Sequence, residues 1–265
     1  MRFGCCLNMI ALPEDPTGIG SIGVIKSAGF DYVELPLAQV SELSEPAFEM
    51  LLEALEKSGI PCETANNSVP PYVKLTGPEA DPVRIAAFFE SALKRASLLG
   101  IKQVGIGSPG ARNTPVGYSR LKGLDELKVT FAIAGDIGES FDIGINIEPV
   151  NMRDCNILTA IGECVEFHEE LGHKNVGLMV DYYHLAADRE PVSEISKMAG
   201  KIKHAHIASL ERRLFPKPGD PDDYAAFSDQ LKTSGYDGRL SIEAYAENLE
   251  ADAADSVEFL GSIFR

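Results

Sequence analysis

A chain of 265 residues with 40 acidic against 24 basic side chains carries a formal net charge of −16, which repels the phosphates of nucleic acid and anionic lipid faces. A hydrophobic content of 45% is enough for a substantial core, yet no apolar run is long enough to span a membrane. Five scattered cysteines without CxxC spacing, behind an N-terminus without a secretory pattern, read as reduced, buried thiols of a cytoplasmic protein.

Eight short apolar runs follow in chain order: RFGCCLN (2–8), DYVELPL (31–37), PCETANN (61–67), KQVGIGS (102–108), IGINIEPV (143–150), NVGLMVDYYH (175–184), KIKHAHIAS (201–209) and RLSIEAY (239–245). Between them lie stretches such as EPAFEMLLEALEKSG, where apolar residues recur at the three and four spacing of a helix. Gly59, Gly100 and Gly172 stand where helix C-caps belong. Eight strand-then-helix units without a linker predict an α/β fold, a single (β/α)8 TIM barrel over residues 1–265. A doubly wound sheet would show a glycine-rich phosphate turn after its first strand, and none is present. The segment SPGARNTPVGYSR (108–120) is expected to form a lid over substrate.

Chemistry on such a barrel sits at the C-terminal strand ends. There the runs place Glu34, Glu63, Glu148, Asp181 with His184, His206, and Glu243. Glu34 and Glu63, taken singly, read as solvated rim carboxylates. His204 shares a strand face with His206 one layer deeper and reads as a hydrogen-bonded core histidine. His168 and His173 read as surface residues, and Arg213 and Lys217 as ordinary loop charge. Glu148, Asp181, His206 and Glu243 end four successive strands and so converge on one point. Three carboxylates packed there would repel one another unless a cation is present. An oxygen-rich set with one imidazole suits one divalent ion, Mn²⁺ first, with Co²⁺ or Mg²⁺ as alternatives.

At these residues the chain resembles the xylose isomerase-like barrels, nearest the branch of ketose 3-epimerases (tagatose/psicose type) and sugar phosphate isomerases. IEPVN carries Glu148, VDYYH carries Asp181 and His184, HAHIASLERR carries His206 and Arg212, and GYDGRLSIEAY carries Glu243 and Tyr245. The resemblance implies Glu148, Asp181, His206 and Glu243 as metal ligands, Glu148 and Glu243 also as the acid–base pair, and His184, Arg212, Asp154 and Tyr245 as substrate contacts. It extends to VELPL, CETANN, KLTGPEADP and GSPGARNTPVG. Asp154 stands where the branch carries a glutamate, and the CCLNM and ANNSVPP segments depart from its sugar pocket.

The expected activity is a metal-dependent sugar epimerase or isomerase acting on a ketose or related α-hydroxy carbonyl through an enediolate. A lyase on the same site, of the inosose or dehydroshikimate dehydratase kind or cleaving C-glycosides, is the alternative; a non-catalytic sugar-binding barrel ranks below it. With no phosphate signature, and with Arg112, Arg212 and Arg213 each having a simpler use as lid or hydroxyl contact, the expected partner is a free sugar. The resemblance also implies a homo-oligomer, dimer or tetramer.

Overall fold

The computed structural model describes residues 1–265. Eight parallel strands close into a barrel in sequence order: β1 (Arg2–Cys6), β2 (Tyr32–Pro36), β3 (Cys62–Asn66), β4 (Gln103–Ile106), β5 (Gly144–Ile147), β6 (Val176–Asp181), β7 (Ile202–Ile207) and β8 (Arg239–Ile242). Closure is made by β1 on β8, with Arg2 beside Arg239 and Cys5 beside Ile242. Each expected run contains one strand, and the (β/α)8 barrel is the observed fold. The strands stop earlier than the runs do. YYH (182–184), for example, is not a strand tail: β6 ends at Asp181, and Tyr182–Asp188 is a helix.

The larger helices of the outer layer include α3 (Glu45–Ser58), α4 (Pro82–Leu98), α6 (Arg120–Ser140), α7 (Ile161–Leu171), α9 (Tyr224–Thr233) and α10 (Leu249–Phe264), with shorter α1 (Ile22–Ser27), α2 (Leu37–Glu42), α5 (Pro109–Arg112) and α8 (Tyr182–Asp188). Helix α3 starts at Ser44, whose hydroxyl accepts from the Ala47 N–H, and ends at Gly59 with φ of 66°. That pairing of a hydroxyl start with a left-handed glycine stop satisfies orphan backbone groups at both ends. Gly172 ends α7 in the same way, and Gly100 (φ 87°) lies one residue past the α4 cap.

Side chains alternate along each strand, so one set fills the barrel. Toward the mouth this interior is polar: Glu34, Thr64, His204 and Ser241 lie below Asn66, Asp181, His206 and Glu243, all buried. At the opposite rim, Glu63 is not a solvated carboxylate. It is salt-bridged to Arg2 and Arg239, with Arg239 Nε donating to Glu63 Oε2 at 2.6 Å, so it ties β3 to the two closing strands. His168 is half-buried rather than a surface residue. Its Nε2 donates to the Val176 carbonyl at 2.9 Å, and burial lowers its pKa. His173 is also largely covered and lies 3.1 Å from Asp136. All five cysteines are free and buried, and burial pushes the Cys5 and Cys62 thiols upward, out of the nucleophilic range.

The first half of the 108–120 segment is anchored rather than free, and its Ser108 and Pro109 line a cleft at the barrel mouth. It contains α5, and Arg112 is completely buried. The Arg112 guanidinium donates to the carbonyls of Ile106 (3.0 Å), Glu148 (2.9 Å) and Leu158 (3.4 Å), so it has no access to a substrate phosphate. Thr76 Oγ1 donates to the Arg112 carbonyl at 3.0 Å, and the Thr114 N–H donates to Asn156 Oδ1 at 3.0 Å. These bonds fasten the first half of the segment, as far as Thr114, to the neighbouring loops, whereas residues 115–117 are exposed.

Candidate active site

Glu148 follows β5, Asp181 ends β6, His206 lies near the end of β7 and Glu243 follows β8. One ligand-capable atom from each lies within 4.8 Å of all the others. His206 Nδ1 is 3.6 Å from Glu148 Oε1 and 3.3 Å from Glu243 Oε2. Both His206 Nδ1 and Glu148 Oε1 are buried and make no hydrogen bond. Buried polar atoms are rarely left in that condition, and a cation between them would satisfy both. The donor set of three carboxylates and one imidazole therefore fits a divalent ion.

Local structure explains how each side chain reaches this point. Asp181 serves two purposes: its Oδ1 caps α8 by accepting from the Tyr183 N–H at 2.9 Å, and its Oδ2 faces His184 Nε2 at 3.5 Å. Glu148 is admitted by Gly107, because a Cβ at that position would collide with Glu148 Oε2. Glu243 Oε1 accepts from Asn66 Nδ2 at 2.6 Å, an amide at the end of β3 that the strand pattern alone did not single out.

The carboxylates differ in their proton affinity. Burial raises Asp181, and neighbouring Glu243 adds to that against the opposing pull of His184 and Arg213. Burial acts on Glu243 as well, but the Arg213 guanidinium and His206 outweigh it and hold its carboxyl below the usual range. Two neighbouring carboxylates of the cluster thus carry opposite shifts, set by which of them the Arg213 charge meets most closely.

The arginine at the mouth is Arg213, not Arg212. Arg213 Nη2 is salt-bridged to Glu243 Oε2 and lies 3.5 Å from Asp181 Oδ2. Its guanidinium sits 4.6 Å from the centroid of the Tyr183 ring, a cation–π contact. Arg212 points outward and pairs with Glu247 at 2.8 Å, its side chain 62% exposed. The reason is local: Arg212 (φ 58°) and Arg213 (φ 54°) are both left-handed, and this turn swings the second side chain inward. Tyr245 is exposed, its N–H bonded to the Arg213 carbonyl at 2.8 Å, and it does not line the cleft.

His184 and Asp154 do line the cleft, which measures about 570 Å³ and opens above Glu148 and Glu243. Asn151 joins them, with its Nδ2 at 2.8 Å from both Asp154 Oδ2 and His184 Nδ1. Glu34 departs most from its expected place. It is fully buried beneath the cluster, 2.8 Å from His204 Nε2 and 3.1 Å from His206 Nε2. Burial would raise its carboxyl, but the two histidines hold it well below the ordinary range. His204 is, as expected, a hydrogen-bonded core residue.

A closed βα barrel with acids and an imidazole gathered at its C-terminal mouth defines the class: a barrel enzyme whose chemistry sits at the strand ends. The chain belongs to the xylose isomerase-like TIM barrel family, whose model matches residues 22–263. It is 27% identical over 232 residues to a D-psicose 3-epimerase of Agrobacterium fabrum, covering 84% of this chain and 78% of that protein. It is 24% identical over 258 residues to a ketose 3-epimerase of Arthrobacter globiformis, covering 95% and 86%. A solved D-psicose 3-epimerase, crystallised in the presence of D-fructose, superposes with a TM-score of 0.87 over 100% of this chain and 99% of that one. At 17% identity this last likeness shows the fold.

Proposed function

We propose that the protein is a divalent-metal-dependent epimerase of free ketoses, inverting a carbinol carbon next to the carbonyl through an enediolate. The observation that carries this reading is the convergence of Glu148, Asp181, His206 and Glu243 with two buried atoms left unpaired. The relatives, psicose and ketose 3-epimerases by name, point to the same chemistry. Bound by these four residues, a divalent ion, Mn²⁺ before Co²⁺ or Mg²⁺, would supply Lewis acidity at the substrate carbonyl.

Glu148 and Glu243 come from β5 and β8, so they reach the cleft from different sides. One carboxylate takes the proton from the α-carbon, leaving the electron pair delocalised toward the carbonyl oxygen. The other carboxyl returns a proton to the opposite face, and the configuration at that carbon is inverted. Arg213 stands beside Glu243, where its charge stabilises negative charge on the substrate oxygens. His184, held by Asn151, and Asp154 would fix the hydroxyls.

The test is deuterium incorporation from D₂O into a panel of free ketoses, read by NMR after chelation has removed Mn²⁺. Manganese-dependent exchange beside the carbonyl is expected, with Glu243→Gln abolishing it. Absence of exchange with every ketose, in protein that demonstrably binds Mn²⁺, would overturn epimerisation and leave elimination as the reaction.

A further inference from the structure

Below the cluster lies a second polar assembly that meets the proposed ligand set only at His206. Tyr32, Glu34, Thr64, Ser241 and His206 are each fully buried, and His204 is 1% exposed. Glu34 Oε2 accepts from Thr64 Oγ1 at 2.8 Å, Ser241 Oγ at 2.6 Å and His204 Nε2 at 2.8 Å. Glu34 Oε1 faces His206 Nε2 alone, at 3.1 Å. Tyr32 Oη lies 2.8 Å from Ser241 Oγ. Because Ser241 spends its proton on the carboxylate, the phenol donates to Ser241. The chain makes room for this ring with Gly4, where a Cβ would collide with Tyr32.

An ionised carboxylate only accepts. Four neighbours converge on Glu34, so each must present a proton to it, and for His206 that proton is on Nε2. The ring's other nitrogen, Nδ1, is the one turned toward Glu148 and Glu243 and left without a partner. The only other group near Nε2 is the Cys6 thiol at 3.8 Å, a weak partner.

We infer that Glu34 is the positioning residue of the site: by holding the Nε2 proton of His206 it fixes the ring orientation and tautomer that offer the Nδ1 lone pair to a cation. This deepens the proposed function and rests on its reading of His206 as a ligand. Carboxylates that orient a ligating histidine in this way typically govern metal affinity by ten- to a hundredfold. His204 binds the same carboxylate through the other oxygen and supports the assembly without facing the cluster.

The experiment combines Mn²⁺ calorimetry with NMR of protein carrying ¹⁵N-labelled histidine, metal-free and with Mg²⁺. In the wild type, the exchange-protected ring proton of His206 is expected on Nε2. In Glu34→Gln that proton is expected to lose its protection, and Mn²⁺ affinity to fall by about ten- to a hundredfold. His204→Gln, which removes no direct partner of a proposed ligand, is expected to weaken binding less than Glu34→Gln does. A folded Glu34→Gln that binds Mn²⁺ like the wild type, or that keeps the protected Nε2 proton, would overturn the inference. A wild-type spectrum with the protected proton on Nδ1 would overturn it even if Glu34→Gln does not fold. Should the wild type bind no Mn²⁺ while the Nε2 proton still depends on Glu34, the ligand reading fails and the orientation of His206 by Glu34 stands.

Discussion

Left-handed backbone at a residue other than glycine costs on the order of 1 kcal/mol or more, and Arg212 and Arg213 adopt it consecutively. The cost is offset by what the turn achieves, since Arg213 reaches Glu243 and stacks on Tyr183 while its side chain is only 18% exposed. Arg213→Ala should therefore lower kcat/KM for the responsive ketose by about ten- to a hundredfold, the worth of one charge-assisted hydrogen bond. Arg212→Ala should change it by less than about threefold, as an exposed ion pair predicts. Steady-state kinetics of the two variants decide the matter, and equal losses would contradict the placement of Arg213 at the mouth. The same pair shows where sequence spacing fails. Counting six residues from His206 leads to Arg212, but a count carries no information about two successive positive φ angles. Glu34 was illegible for a related reason: a register shift between Val33 and Glu34 accompanies its placement inside the barrel, among histidines and hydroxyls from β3, β7 and β8. The convergence of Glu148, Asp181, His206 and Glu243 was legible because strand alternation and barrel order need no such detail.

Helix α5 spans only Pro109–Arg112, yet it delivers a charged side chain into an entirely buried position. Arg112 meets no carboxylate there; it cross-links three carbonyls belonging to β4, to the residue after β5 that carries a cluster carboxylate, and to the loop before α7. Truncation would strand those carbonyls, so Arg112→Ala should cost about 3 kcal/mol in urea unfolding. Arg112→Lys should recover little of it, because a single ammonium lacks the planar fork. A loss below about 1 kcal/mol would mean that water takes over the guanidinium's bonds. The larger elements were easier to read. Parallel strands buried on both faces appear as short runs rich in Val and Ile, and all eight were visible. Their ends were not, because the loops at the mouth are buried too and share the strands' composition. Asp181 illustrates the difficulty, being the last residue of β6 and the cap of α8 at once.

Metal affinity and global stability are linked through the cluster, since a cation that binds only the folded state stabilises it by mass action. At a hundredfold excess over Kd the gain is about 2.7 kcal/mol, which in a chain of this size corresponds to a rise in Tm of roughly 5–10 °C. Differential scanning calorimetry with Mn²⁺, followed by a chelator, should show that rise and its reversal. A Tm unmoved by Mn²⁺, Co²⁺ and Mg²⁺ would exclude the cluster as a cation site.

The seam between β1 and β8 has a consequence for how the protein comes into being. The first strand cannot find its second neighbour until the eighth has been made, and Arg2 pairs with Arg239 across nearly the full length of the chain. Ser241 and Glu243, which complete the polar interior and the mouth, arrive on that same late strand. During synthesis, therefore, an open sheet with two bare edges is exposed to pairing with other nascent chains until the segment carrying β8, Arg239–Ile242, has emerged. The site and the barrel are finished by the same event.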